Sequence, residues 1–393
     1  MNFGRCSVIA YPTANNQPKY RNMELNVNRK RILEALSGVS SVAAKNATLP
    51  ILECVKVNVR EDGTMVVTAF DLEVSVMRKF KIADSYETAF DFCINPRDFA
   101  NILKTLRDED VTLKVDDANC VIVHAKGEVS LPILPAVDYP EVGKDNNIAK
   151  LSVDSATLFE WLKNAVKFVA SDKLRPMICG VYMYVDGLEF GVAASDGLYL
   201  FTDNNRANIS EPMNANATLG TKAVSPLLDM LNGTDDVMVM FGERMLSFRT
   251  SNAMLSCIKP VGAFPKFKAL IMPRENTITV NIDKKELMDS VSRAIMTARV
   301  DTTLLRLKAE GNTFTVSSED LMFSKKSRED CPCTIEGGSI EIGVRGSNLV
   351  DCLNAIECEN IVMEFVDARK AIYLYDGSAP NKRVLLMPLM LNV

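Results

Sequence analysis

The sequence predicts an α+β chain assembled from six copies of one βαβββ unit, grouped two by two into three similar domains. Three observations carry that prediction. The stretches "LNVNRKRILEALSGV", "LSVDSATLFEWLKNAV" and, more faintly, "VNIDKKELMDSVSRAI" share a strand-then-helix pattern, with Val27, Val153 and Ile282 at offsets of 126 and 129 residues. Downstream, Val55, Val181 and Leu307 recur at intervals of 126 on alternating apolar strands. Asp71, Asp196 and Asp320 then close a second strand at intervals of 125 and 124. A register held over three markers in each copy is the trace of one duplicated folding unit.

In chain order, each copy opens on a short strand and passes into a helix with apolar residues at helical spacing: Ile32, Leu33 and Leu36; Leu158, Phe159 and Leu162; Leu287, Met288 and Val291. A strand follows in "LPILECVKVNV", "RPMICGVYMYV" and "TTLLRLKAE". Turns at Asp62-Gly63, Asp186-Gly187 and Glu310-Gly311 send the chain back along a second strand to the aspartate. The second half of each domain repeats this grammar. In "PRDFANILKTLR" the spacing turns Phe99, Ile102, Leu103 and Leu106 inward and Arg97, Lys104 and Arg107 outward. Prolines and polar residues in "AVDYPEVGKDNN" and "GAFPKFKALIMPREN" mark the links between domains. Residues 384–393, "VLLMPLMLNV", carry no charge, and a chain end this apolar is read as the last strand and its exit, docked on a sheet.

Several function classes are set aside by what the chain lacks. No run reaches the roughly 18 apolar residues of a membrane-spanning helix, and the first 22 residues lack a signal-peptide core, so a cytoplasmic protein is expected. The ten cysteines include Cys54, Cys93, Cys120, Cys179, Cys257 and Cys352 in apolar stretches, which reads as buried thiols in a reducing compartment. Cys331 and Cys333 lack the spacing of a zinc knuckle. The single histidine, His124, leaves no partner for a triad or a His-metal site. Neither "GxxxxGK[ST]" nor "GxGxxG" occurs, so no cofactor is expected.

Charge distribution suggests a partner. Helical segments 28–40, 96–107, 154–170, 221–232, 283–299 and 345–357 carry a net +4, against −9 for the remainder of a chain whose total is −5. An acidic protein with its positive charge on helices could hold a polyanion against them, although a solvated basic face explains so small an excess as well.

The ordered set "LPIL" with downstream "DLE", "LPAVDYP", "RPMICGV" with "ASDGLYL", "FPKF" and the terminal "MPLML" resembles the β subunit of bacterial DNA polymerase III, the sliding clamp. The likeness runs from about Met23 to Leu391. It implies domains at 23–143, 144–273 and 274–393, with residues 1–22 as an extension expected to be disordered. It further implies a head-to-tail homodimer closing a ring, with helices lining the hole and sheets outside. Such a ring stays on duplex DNA by encircling it, while helix-borne cations touch phosphates without regard to sequence. The DNA-side candidates are Lys45, Lys104, Arg107, Lys163, Lys167 and Arg175. Val129, Leu131 and Met296 match the dimer seam.

The resemblance also implies an apolar pocket that takes short peptides from the polymerase α subunit, the clamp loader, translesion polymerases and repair proteins. Its second-domain part is Ile178, Ser195, Gly197, Leu198, Tyr199 and Leu200; Pro265 and Leu270 come from the "FP" junction. The chain's end supplies Leu385, Met387, Pro388, Leu389, Met390 and Leu391. Met and Leu make a deformable wall suited to several related peptides. Read from the residues alone, the same stretch is plain core strand. Leu198-Tyr199 and Met390 stand where the family has basic residues, Asn392 and Val393 extend past its usual end, and "FPKFKALIMP" is one residue longer, which leaves Ala269 as the alternative to Leu270. A greasier pocket with altered peptide preference is expected.

Two rivals remain at this point. An enzyme using Asp71, Asp196 and Asp320 as catalytic carboxylates is disfavoured because a catalyst need not be triplicated, whereas a turn-stabilising aspartate would be. A repeat-built protein-binding scaffold without a DNA role is the other.

Overall fold

The computed structural model describes residues 23–391 except 45–48, 87, 108–109, 144, 173, 235, 272–274 and 276. Among these residues the βαβββ grammar appears six times. The first copy is β1 (Met23–Asn28), α1 (Arg29–Ser40), β2 (Val55–Val59), β3 (Thr64–Phe70) and β4 (Val74–Lys81). The second is β5 (Phe90–Ile94), α2 (Pro96–Thr105), β6 (Asp110–Val115), β7 (Asn119–His124) and β8 (Gly127–Pro135). The third is β9 (Asn147–Asp154), α3 (Ser155–Ala165), β10 (Gly180–Gly187), β11 (Glu189–Ser195) and β12 (Tyr199–Arg206). The fourth is β13 (Met213–Gly220), α4 (Thr221–Leu231), β14 (Asp236–Gly242), β15 (Met245–Arg249) and β16 (Ala253–Ile258). The fifth is β17 (Ile278–Asp283), α5 (Lys284–Thr297), β18 (Leu304–Glu310), β19 (Thr313–Asp320) and β20 (Lys325–Glu336). The sixth is β21 (Ile340–Arg345), α6 (Gly346–Asn354), β22 (Asn360–Phe365), β23 (Ile372–Asp376) and β24 (Ala379–Leu386).

Local chemistry sets these boundaries. Asn28, Asn95, Asp154 and Asp283 end or directly follow a strand and cap the helix that comes next, accepting hydrogen bonds from backbone N–H groups two or three residues on. Gly63, Gly187 and Gly311, the glycines of the three predicted turns, take φ of +72°, +63° and +63°, which a residue with a Cβ adopts only with strain. Each helix buries one stripe: Ile32, Leu36 and Val39 in α1, Leu158, Leu162 and Ala165 in α3, Leu287, Val291 and Ala294 in α5. Leu33, Phe159 and Met288, counted with the stripe in the sequence, are half-buried at its flank.

The chain divides into two compact units, one made of residues up to Asp71 with Met77–Glu141, the other of Leu72–Val76 with Val142–Val393. In the first, α1 packs on α2, and seven antiparallel strands run in the order β1, β6, β7, β8, β5, β2, β3. In the second, α3 pairs with α4 and α5 with α6. One of its sheets holds twelve strands, in the order β13, β10, β11, β12, β24, β23, β22, β17, β20, β19, β18, β21. The junction in this sheet is β12 against β24, with Tyr199 opposite Leu386 and Thr202 opposite Arg383. The apolar ending is therefore strand only as far as Leu386; Met387 leaves the ladder and Pro388, which has no N–H to donate, follows it out.

The described cysteines are free thiols, and six of the nine are buried. Burial pushes Cys93, Cys120 and Cys257 up to about 12, which keeps them as unreactive thiols. His124 accepts from the backbone N–H of Lys126 at 3.4 Å in the β7–β8 turn. No described helix is long and apolar enough to cross a membrane.

An ion pair between a buried aspartate and a half-buried lysine lies beside the β12–β24 junction. Asp203 is 5% exposed, and Lys382 Nζ stands 3.7 Å from its carboxylate. Burial raises the Asp203 pKa above the usual range, with Lys382 and hydrogen bonds from Asn204 and Trp161 opposing the rise. Lys382→Met removes the cation that offsets the ionised, penalised form. It is expected to cost roughly 1–3 kcal/mol at pH 7. Because the folded pKa is raised, that loss should grow as pH rises through it and fade where Asp203 is protonated. Thermal unfolding at pH 4 and pH 8 checks this, and an equal loss at both would contradict it.

Candidate functional site

Two of the three register aspartates close their turns by hydrogen bonds. Asp196 Oδ1 accepts from the backbone N–H groups of Leu198 at 2.7 Å and Tyr199 at 3.1 Å. Asp320 Oδ1 accepts from Met322 at 3.1 Å. Asp71 stands at the same place, before Leu72 with φ +74°. In the β11–β12 hairpin, Ser195 Oγ accepts from Gly197 N–H at 3.0 Å and donates to Tyr199 O at 2.7 Å, while Gly197 takes φ +96°. This tip is tied to itself and presents Leu198 to solvent, 49% exposed.

Three segments meet beside that tip. Met387 N–H donates to Leu198 O at 2.8 Å, and Arg383 Nη1 donates to Ile271 O at 2.6 Å. Ile178, Leu200 and Leu385, each at most 6% exposed, share one apolar cluster with Tyr184, Phe264, Phe267 and Tyr373. Leu198, Leu270, Met387 and Met390 remain exposed at these segments, a set of large apolar side chains on an ordered surface. Tyr199 lays its ring 4.7 Å from that of Phe168 and donates its hydroxyl to Lys167 O at 2.7 Å. Burial, and then Asp196, hold its phenol well above the usual range, so it remains a donor.

The other sequence-chosen pocket residues separate. Pro265 lines a different hollow of about 470 Å³, with Tyr182, Tyr184 and Lys268. Half-buried Pro388 leads to Leu389, whose N–H donates to Gly343 O at 2.8 Å on β21. A Cβ on Gly343 would stand 2.6 Å from Leu389 O and 2.9 Å from Leu391 Cδ2. Gly343 and Phe168 were not singled out from the sequence. A glycine inside the strand "EIGV" is itself a signal of close backbone approach.

Among the cations, Lys104 and Arg107 are exposed at the end of α2, and Lys163 and Lys167 on and after α3. Lys163 pairs with Glu160 at 3.2 Å. Arg175 is held by Asp172 at 3.3 Å and lines a hollow of about 580 Å³ with Gly197, Leu198 and Tyr199, beside the tip rather than on a helix. Lys45 lies outside the described residues. Arg29 and Arg31 donate to Leu103 O and Lys81 O, each at 3.2 Å.

Besides the sheet-end strands β1, β9, β13 and β21, β8 and β20 each have a stretch with a ladder on one side only, among the described residues. Residues 127–132 of β8 pair with β7, and β5 reaches only 133–135. Val129 and Leu131 lie half-buried on that stretch. Residues 325–332 of β20 pair with β19, and β17 takes only 333–336. Met296, near the end of α5, is 75% exposed.

Residues 23–143 match the family model for the DNA polymerase III beta subunit, N-terminal domain, and residues 269–390 match that for its C-terminal domain. The beta sliding clamp of Escherichia coli K12 is 23% identical over 371 residues, covering 94% of this chain and all of the relative. The crystal structure of DNA polymerase III subunit beta from Pseudomonas aeruginosa superposes with a TM-score of 0.89 at 21% identity. The DNA polymerase sliding clamp of Bacillus subtilis gives 0.88, also at 21%. Each structural likeness covers 94% of this chain and all of the other. These structures define the fold as that of sliding clamps. The chain belongs to the DNA polymerase III beta subunit family.

Gly343→Ala should displace residues 389–391 without unfolding β21, since the close contact is with a terminal segment. Faster carboxypeptidase digestion with a thermal midpoint within a few degrees is the expected result; unchanged digestion would show that the segment has room.

Proposed function

We propose that this protein is a non-catalytic DNA sliding clamp, a ring of two head-to-tail copies that encircles duplex DNA and tethers replication and repair enzymes. The observation that carries the reading is the β12–β24 junction, where the last strand of one half-repeat extends the sheet of another. The same junction made by β20 of one copy and β8 of a second would use their one-sided stretches and close the ring. Exposed Lys104 and Arg107 on and after α2, and Lys163 and Lys167 on and after α3, suit contact with phosphates. Asp196 and Asp320 serve their turns, which takes two of the three carboxylates from the enzyme reading.

The peptide-binding surface in this reading is the apolar junction of Leu198, Leu270, Met387 and Met390 over the buried Ile178, Leu200 and Leu385. Polymerase α subunit, loader, translesion polymerases and repair proteins would reach it through short extended motifs with alternate apolar anchors. Met390 and Leu198 favour apolar anchors over acidic ones.

The test of encirclement is topological. Loaded on nicked circular DNA by a clamp loader, the ring should survive high salt on the circle and run off once the circle is cut. Phosphate contacts alone weaken by about 10³–10⁵ between 50 and 200 mM salt for 6–10 contacts. Loss from circle and linear form alike at high salt would refute the clamp. Deleting residues 387–393 should abolish polymerase and loader binding with the dimer intact; a dimer that falls apart instead would return this ending to a core strand.

A further inference from the structure

We infer that the aromatic hollow beside the junction loop is a second anchor site, which takes a Trp or Tyr side chain from the same partner peptide that docks at Leu198, Leu270 and Met387. This second anchor rests on the docking reading and extends it, by giving the direction in which the peptide continues and the side chain it carries there.

The sheet puts both sites on one face. Tyr182 pairs with Ala193 and Tyr184 with Gly191, while Ser195 on the same strand pairs with Leu200, and Leu200 with Leu385. Residues two apart on a strand share a face, so Tyr182, Tyr184, Leu200 and Leu385 lie on the same side. There Tyr184, Leu200 and Leu385 form one apolar cluster with Phe264 and Phe267 of the loop, and Tyr182 packs against it. The floor of the hollow is continuous with the floor of the docking surface.

The loop joins the two in sequence as well. Pro265 and Ala269 both line the hollow, and the next residue, Leu270, is exposed at the docking surface. Leu270 N–H donates to Phe267 O at 2.8 Å and Arg383 holds Ile271 O, so the loop is folded back and fixed to β24. Fully extended, the chain from Pro265 to Leu270 would reach about 18 Å. The folded turn is shorter, and about five extended peptide residues bridge it.

The rings of the hollow are fixed before any ligand arrives. Tyr182 stacks on Phe264 with centroids 4.6 Å apart and planes 11° apart, and Phe267 stands edge-on to Phe264 at 6.0 Å and 82°. Tyr184 lies across Gly191, where a Cβ would come 2.6 Å from its hydroxyl, and donates that hydroxyl to Glu189 at 3.0 Å. Lys268 Nζ sits 4.7 Å from the centre of the Tyr184 ring, bonded to Asp186 at 2.5 Å and Glu189 at 3.4 Å. Lys266 and Lys268 balance Asp186 and Glu189, so nothing here calls for an ionic ligand. The hollow's volume of about 470 Å³ falls within the usual range of ligand sites, and the exposed carboxamides of Asn214 and Asn216 stand among its walls. Aromatic faces and edges with amide groups beside them suit a ring that carries an N–H or O–H, as in Trp or Tyr, better than an aliphatic chain.

Fluorescence anisotropy with the full chain tests this. The short probe is a labelled peptide of alternating Leu and Ser; longer probes add a Gly-Ser spacer of about four to seven residues at either end, closed by Trp or by Ser. At the best spacing the Trp form should bind about tenfold tighter than the Ser form. Asn216→Trp, a change at an exposed position that fills the hollow, should remove that gain and leave the short probe's affinity within about twofold. Its thermal midpoint should stay within a few degrees, and Asn216→Arg repeats the test with a flexible side chain. A gain that survives both variants puts the aromatic residue elsewhere and overturns the site. No gain at any spacing overturns the second anchor and keeps the docking surface. A short probe that does not bind overturns the docking reading, and the second anchor falls with it.

Discussion

An antiparallel strand with one bare side must find a partner or be blunted, and most of this architecture follows from that constraint. A single βαβββ unit cannot cover its own edges. In the larger unit, β12 gains β24, so that one sheet runs through twelve strands and the chain end becomes an internal strand. The apolar surface proposed to take peptides is a by-product of that solution. A hairpin tip, a junction loop and an exiting chain converge because the sheet brings β12 and β24 side by side, and the side chains that do not fit into the ladder remain as an apolar surface.

Much of this was legible in the sequence because it depends on local grammar. Caps such as Asn28 and Asp154, glycines such as Gly63 and Gly187, and the repeated aspartates each act within a few residues of themselves, so spacing alone placed them. The turn role of Asp196 could be argued from its recurrence, and the hydrogen bonds to Leu198 and Tyr199 give that argument its geometry. The ending was read as a docked strand for the right reason, the absence of charge, but its last residues belong to a turn-off that Pro388 helps to impose.

What the sequence could not supply were pairings over long distances. Nothing local says that Arg175 faces the hairpin tip instead of a helical face, or that Leu389 returns to Gly343. Pro265 and Leu270 are five residues apart, yet the loop between them turns Pro265 into a separate hollow. Such placements depend on register between strands, and register is set by the assembled sheet.

The β12–β24 ladder joins Thr202 to Arg383, residues 181 positions apart. During synthesis β12 therefore leaves the ribosome long before the strand that covers it. At about 5–20 residues per second the wait is on the order of 10–35 s. Throughout that interval the nascent chain carries an open edge at residues 199–202. Termination of synthesis before β24 would thus release a chain that keeps this edge uncovered, a ready template for pairing with other chains.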